Sequence, residues 1–165
     1  MRRISSLAAV GGIVFSTLLG IAAPLVTEAH ETRAIGDGQY QIVVGFMNEP
    51  VFAGDKSGLE FWVTEVSAAT PAASQQEGDG TPVEGLEETL QAEVLFEDQT
   101  LALPLSPLFG EPGGYRSVFF PTAPGDYTFR IYGTIDGTEI DESFTSGPET
   151  FSPVADPAPL RFPQP

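Results

Sequence analysis

Apolar and polar residues alternate one by one in short runs along this chain, and each run ends at Gly, Pro, Asp or Asn. That pattern sets side chains on opposite faces of an extended backbone, and no stretch after the first thirty residues sustains a helical period. Gln39 to Met47 is the first expected strand, with Tyr40, Ile42, Val44 and Phe46 on one face, and Asn48-Glu49-Pro50 stops it. Leu59 to Val66 sets Leu59, Phe61 and Val63 against Glu60, Trp62 and Thr64. Leu86 to Phe96, Thr100 to Leu105, Tyr115 to Phe120, Tyr127 to Ile135 and Thr138 to Phe144 complete the set. About seven short strands with turn signals between them read as an all-β chain, and the size and spacing are those of an immunoglobulin-like β-sandwich.

Two local signals sharpen that reading. Asp136-Gly137 is the strongest hairpin turn in the chain, because both positions tolerate a positive φ. Pro124-Gly125-Asp126-Tyr127 leads into a strand as a tyrosine corner does, with the Tyr127 hydroxyl bonding back to a loop backbone group. Ser67 to Pro82, rich in Ala, Ser, Gln, Gly and Thr, is expected to be a flexible loop. Residues 147–165 hold six prolines and are expected to form an extended tail, so the sandwich is expected to span 30–146.

The first 29 residues have the layout of a secretory signal peptide. Arg2 and Arg3 precede an apolar or small-residue run from Leu7 to Ala23, and Thr27-Glu28-Ala29 supplies small residues before a cut at His30. The glycines in that run argue against a retained span. The chain has no cysteine, so neither disulfides nor lipid attachment at a thiol is available. Its fold must hold by burial, for which 12 Phe, 4 Tyr and 1 Trp are on hand. Losing Arg2, Arg3 and Glu28 from 7 basic and 23 acidic side chains leaves 5 and 22, a formal charge of −17 on 136 residues. Such a charge argues against nucleic acid and anionic membrane surfaces as partners, and favours cations or basic partners.

The stretches Val44-Gly45-Phe46-Met47-Asn48-Glu49-Pro50, Pro82-Val83-Glu84-Gly85-Leu86-Glu87 and Pro121-Thr122-Ala123-Pro124-Gly125-Asp126-Tyr127-Thr128-Phe129 resemble a family of uncharacterised exported bacterial immunoglobulin-like β-sandwich proteins. The resemblance covers most of residues 30–155. More distantly, the layout is similar to the CopC-like, YtkA-like and FixH-like sandwiches. The CopC-like resemblance implies a periplasmic copper carrier whose mature chain begins with a ligand histidine, and His30 is the residue that matches. The second histidine of the CopC-like copper(II) site and a methionine-rich copper(I) loop have no counterpart, since His30 is the sole histidine and Met47 the sole methionine after residue 29.

Three residues are candidates for a site. A His30 freed at the N-terminus offers an α-amine and an imidazole to Cu(II), with Glu31 or Asp37 as further ligands, or it is simply the residue that follows the cut. Met47 offers a soft thioether or packs at a strand end. Trp62 faces away from the presumed core set of its strand and, with Tyr40, Tyr115 and Tyr132, could line a carbohydrate-binding face, or it packs inside. The acidic groups at Glu84, Glu87 and Glu88, at Glu97 and Asp98, and at Asp136, Glu139, Asp141 and Glu142 lack EF-hand spacing and read as solvated edges and turns. With no cysteine and one histidine, most Ser-His-Asp, Cys-His and multi-histidine metal designs are excluded. The expectation is an exported, non-enzymatic binding or accessory module of the cell envelope, with copper handling through His30. The alternative is a structural or interaction module that recognises a protein or glycan through a sheet face.

Overall fold

The computed structural model describes residues 30–66, 80–148 and 150–164. The expected signal peptide, and most of the expected loop at 67–82, lie outside those residues.

The chain is an immunoglobulin-like sandwich of two antiparallel sheets. Among the described residues ten strands follow in order: β1 (His30–Ile35), β2 (Tyr40–Phe46), β3 (Ser57–Glu65), β4 (Thr81–Pro82), β5 (Leu90–Phe96), β6 (Gln99–Leu103), β7 (Ser106–Pro107), β8 (Gly114–Phe119), β9 (Thr128–Ile135) and β10 (Thr138–Thr145). The larger sheet runs β1-β2-β3-β8-β7, with β4 paired to the far end of β3, and the smaller runs β10-β9-β5-β6. Six of these strands match the expected ones to within about two residues at either end, and β5 starts four residues after the expected Leu86, because Leu86–Glu88 form a single helical turn. Among the described residues, no helix is long and apolar enough to cross a membrane.

Alternation is what places the core. Ile42, Val44, Phe46, Leu59, Phe61 and Val63 of the large sheet and Phe129, Ile131, Ile135 and Phe144 of the small one are almost wholly buried. Aromatic rings fasten the two layers. The Phe46 ring lies 5.1 Å from Phe129 and 5.6 Å from Phe151, both edge-on, and Phe129 stacks on Phe151 at 5.5 Å. Edge-to-face and offset contacts of this kind add to the stabilisation that burial already gives.

The turn chemistry agrees with the sequence. Asp136 and Gly137 both take positive φ, 49° and 84°, as a two-residue hairpin between β9 and β10 demands. The tyrosine corner forms as well: the Tyr127 hydroxyl donates to the Ala123 carbonyl at 3.0 Å and accepts from the Ala123 amide at 3.4 Å. Tyr115 performs a second pinning task. Its hydroxyl donates to the Val83 carbonyl at 2.7 Å and accepts from the Leu86 amide at 3.1 Å, so it ties the approach to β5 against the large sheet.

Two expectations need correction. Residues 30–35 were expected to carry no strand, yet they form β1, which pairs along its whole length with β2 from His30↔Gly45 to Ile35↔Tyr40. The segment HETRAI carries a single large apolar residue, Ile35, so its strand has almost no alternation signal of its own and relies on β2 for a partner. The proline-rich segment is not an extended tail over its first half. Phe151 and Val154 are buried in the core. Val154 bridges Gly125, Ala155 bridges Phe52, and the Ser152 amide donates to Glu49 Oε1 at 3.0 Å. Proline removes only its own N–H, so the non-proline residues between Pro148, Pro153 and Pro157 stay free to bond. The sandwich therefore extends to Ala155, nine residues past the expected boundary at 146.

Phe151→Ala should lower unfolding free energy by about 3–5 kcal/mol, the usual cost of truncating a buried Phe. Phe162→Ala, in the exposed part of the same segment, should leave it unchanged in dilute solution, where the chain is monomeric. Urea unfolding of the two variants beside the parent checks both, and equal midpoints would contradict the placement of Phe151.

Candidate functional site

The register of the large sheet brings the three sequence-nominated residues onto one surface. Along β2, Tyr40, Ile42, Val44 and Phe46 point inward, so Gln41, Val43 and Gly45 point outward. The pairs His30↔Gly45↔Glu60↔Arg116 make one outward row across four strands. The next row is Thr32↔Val43↔Trp62↔Gly114. Met47 follows the outward Gly45 by two residues and lies over Gly58 on the same surface.

Trp62 is the centre of this face. It is half-buried, and its ring meets His30 edge-on with centroids 5.5 Å apart. Its indole N–H donates to Glu111 Oε2 at 3.0 Å. Gly114 makes room for it, because a Cβ there would sit 2.8 Å from the Trp62 indole nitrogen and 2.9 Å from Leu108. Gly58 does the same for Met47: a Cβ would stand 2.7 Å from its sulfur and 2.0 Å from the Ser117 carbonyl oxygen. Both glycines are therefore fixed by close approach of a neighbour.

Charge surrounds the ring. Burial pushes the Glu60 carboxyl above the usual carboxylate range, Glu111 pushes it further, and His30 and Arg116 pull it back. Glu111 stands in the turn that precedes β8, closed by the Leu108 amide donating to the Gly114 carbonyl at 2.8 Å. That turn also borders a cavity of about 400 Å³, lined by Glu84, Glu87, Leu108, Glu111 and Tyr115 among others. Burial raises the Tyr115 hydroxyl, and Glu87 and Glu84 raise it further against the hydrogen bond from Leu86. Among the described residues Glu87 Oε2 is buried with no hydrogen-bond partner, an acceptor at the cavity that a donor could meet.

Several sequence-nominated residues fall elsewhere. Glu31 cannot join His30, because strand alternation turns it to the opposite face, where it pairs with Arg33. Asp37 stands in the turn after Ile35, at the other end of β1. Tyr40 and Tyr115 belong to the core, and Tyr132 lies on the small sheet, its ring under Arg130, so the tyrosines do not extend the Trp62 face. Two carboxylates of β10 are engaged individually: Asp141 with Arg130 at 2.7 Å and Glu142 with Arg33 at 2.9 Å. The hydrogen bond from Arg130 holds the Asp141 carboxyl below its ordinary value. Among the described residues no three His, Asp or Glu side chains gather where a metal ion could be held. His30, Met47 and Glu60 do share a face, as one imidazole, one thioether and one carboxylate.

Glu60 was legible from alternation in its own strand. Glu111, Arg116 and Gly114 were not, because cross-strand register and a turn bring them to Trp62 from about fifty positions away. Comparison with family models, with curated proteins and with solved structures gives no match.

The Glu60 shift has a consequence for stability. A carboxyl raised in the folded state penalises folding when ionised, and the penalty disappears once both states are protonated. Glu60→Gln should therefore raise the melting temperature at pH 7, and the gain should vanish at pH 3, below the ordinary carboxylate pKa of about 4.3. Thermal unfolding at both pH values checks this, and an equal gain at the two would contradict it.

Proposed function

We propose that the protein is an exported, non-enzymatic binding module of the cell envelope, and that it recognises a glycan through the outer face of its large sheet. The observation that carries this reading is the placement of Trp62: an outward aromatic ring, seated over Gly114, held by Glu111 and bordered by charged side chains. A flat aromatic suits the apolar face of a sugar ring. The groups nearest it are mainly acceptors. Glu60, Glu84, Glu87 and Glu111 are spread around the ring and the adjoining cavity rather than converging on one point, an arrangement for several hydroxyl donors rather than a single ion. Export is supported by the signal-like first 29 residues.

A second reading, copper handling through His30, draws on one observation: His30 and Met47 lie on the same face beside Glu60. Imidazole and thioether are the ligand types that copper takes in its two oxidation states. An α-amine at His30, if cleavage falls there, would complete a chelate with the imidazole.

Trp62 is the sole tryptophan, so its fluorescence reports on both readings. The chain starting at His30 should be titrated with a panel of soluble envelope oligosaccharides and, separately, with Cu(II). A saturable emission change with an oligosaccharide, whose calorimetric signal disappears in Trp62→Ala and weakens at least tenfold in Glu87→Ala, is the expected result. Quenching by one equivalent of Cu(II) that is lost in His30→Ala, with no oligosaccharide response, would replace the glycan reading by the copper one. Silence to both would overturn the site.

A further inference from the structure

The two open sides of the sandwich are finished differently. Where β1 faces β10, Arg33 bridges the sheets: its guanidinium bonds Glu142 at 2.9 Å and the Ser143 carbonyl at 3.2 Å, and lies 4.3 Å over the Phe144 ring. Where β6 faces β8 there is instead a groove of about 350 Å³, walled by Phe96, Leu101, Phe119, Phe120 and Tyr127. No charged side chain lines it. Leu101 is 53% exposed and Phe120 58%. The outer edge of β6 has no ladder partner among the described residues. Glu97 and Asp98, both exposed, form the turn at the β5–β6 end of the groove.

A matching element stands beside it. The chain leaves the sandwich at Ala155, whose amide donates to the Val51 carbonyl at 2.8 Å and whose carbonyl accepts from Ala53 at 3.0 Å. The next residue in that loop, Gly54, donates to the carbonyl of Pro121 on the groove wall at 2.7 Å. The segment 156–164 therefore departs at the rim of the groove. It carries Leu160 and Phe162, 70% and 96% exposed, with the cation Arg161 between them. One helical turn at Ala158–Leu160, capped by the Ala158 amide on Asp156 Oδ1 at 2.8 Å, and prolines at 157, 159 and 163 restrict its shape. The chain's own groove leaves both apolar side chains bare.

We propose that Leu160 and Phe162 of one copy dock in the β6–β8 groove of a second copy, with Arg161 facing Glu97 and Asp98, and that the exchange is reciprocal. Two apolar side chains flanking a cation fit an uncharged apolar groove that ends in two carboxylates. The same pair of surfaces is used twice, so the contact closes as a two-fold dimer. It is independent of the Trp62 face, which lies on the outer surface of the large sheet.

The absence of cysteine makes a direct test available. Gln99→Cys, at the groove, and Gln164→Cys, in the segment, are prepared as single variants, mixed and mildly oxidised. The expected result is a mixed disulfide dimer in excess of either symmetric one, abolished when Phe162→Ser is added to the Gln164→Cys chain. Sedimentation of the cysteine-free protein should show a dimer whose dissociation constant rises at least tenfold in Phe162→Ser, with a melting temperature that is unchanged in dilute solution where both chains are monomeric. An intrachain disulfide in a monomeric double-cysteine variant would overturn the proposal in favour of docking in the chain's own groove. A protein that stays monomeric at every concentration and gives no mixed disulfide would overturn it outright.

Discussion

The contact on which the rest of this structure depends is the stack of Phe46, Phe129 and Phe151. One ring comes from the large sheet, one from the small sheet and one from the segment that follows the last strand, and their centroids lie between 5.1 and 5.6 Å apart. A cysteine-free sandwich has no covalent staple, so sheet-to-sheet packing must hold it, at roughly 1.5–3 kcal/mol for each large side chain removed from water. Tyr127 extends the stack, 6.2 Å from Phe46 and 4.5 Å from Phe96, while its hydroxyl closes the tyrosine corner on Ala123. The same ring system thus fixes the distance between the layers, the course of the chain into β9 and the docking of residues 151–155.

With the interior fixed in that way, the outward surfaces are free to differ. The small sheet spends its charges locally: Arg130 spans Glu93 and Asp141 across three strands, and Tyr132 lies beneath its guanidinium. The large sheet presents a row of unlike groups, His30, Glu60 and Arg116, beside an indole ring that approaches the backbone closely at Gly114. Exposed ion pairs like those of Arg130 contribute little to stability, about 0–1 kcal/mol each. Their effect is to occupy Glu93 and Asp141. The acceptors around Trp62 and the neighbouring cavity are less fully used, and Glu87 Oε2 is the clearest case.

Much of the fold was legible in the sequence because alternation and turn chemistry are local. The inward set of β2, the division of β3 into Leu59, Phe61, Val63 against Glu60, Trp62, Thr64, the Asp136-Gly137 hairpin and the Tyr127 corner all follow from residues within a few positions of one another. What escaped depends on partners far along the chain. β1 carries one large apolar residue and exists because β2 offers it a ladder. Phe151 and Val154 sit among prolines, and only the distant pairings to Gly125 and Phe52 show that the segment packs. The site follows the same rule. Trp62 was nominated from β3 alone with both directions open, whereas its outward placement and the arrival of Glu111, Arg116 and the seat at Gly114 come through the β3–β8 register and the turn before β8. Alternation also separates His30 from Glu31, which adjacency in sequence had put together.

The central claim is that the Trp62 face is where this protein meets its ligand. Oxidative footprinting of the chain in intact cells that produce it, beside the purified chain, tests this most directly. Trp62 should be protected in the cells, and Tyr132 on the opposite sheet should be oxidised equally in both samples. Equal oxidation of Trp62 in the two samples would show that the face stays bare where the protein works, and would contradict the account.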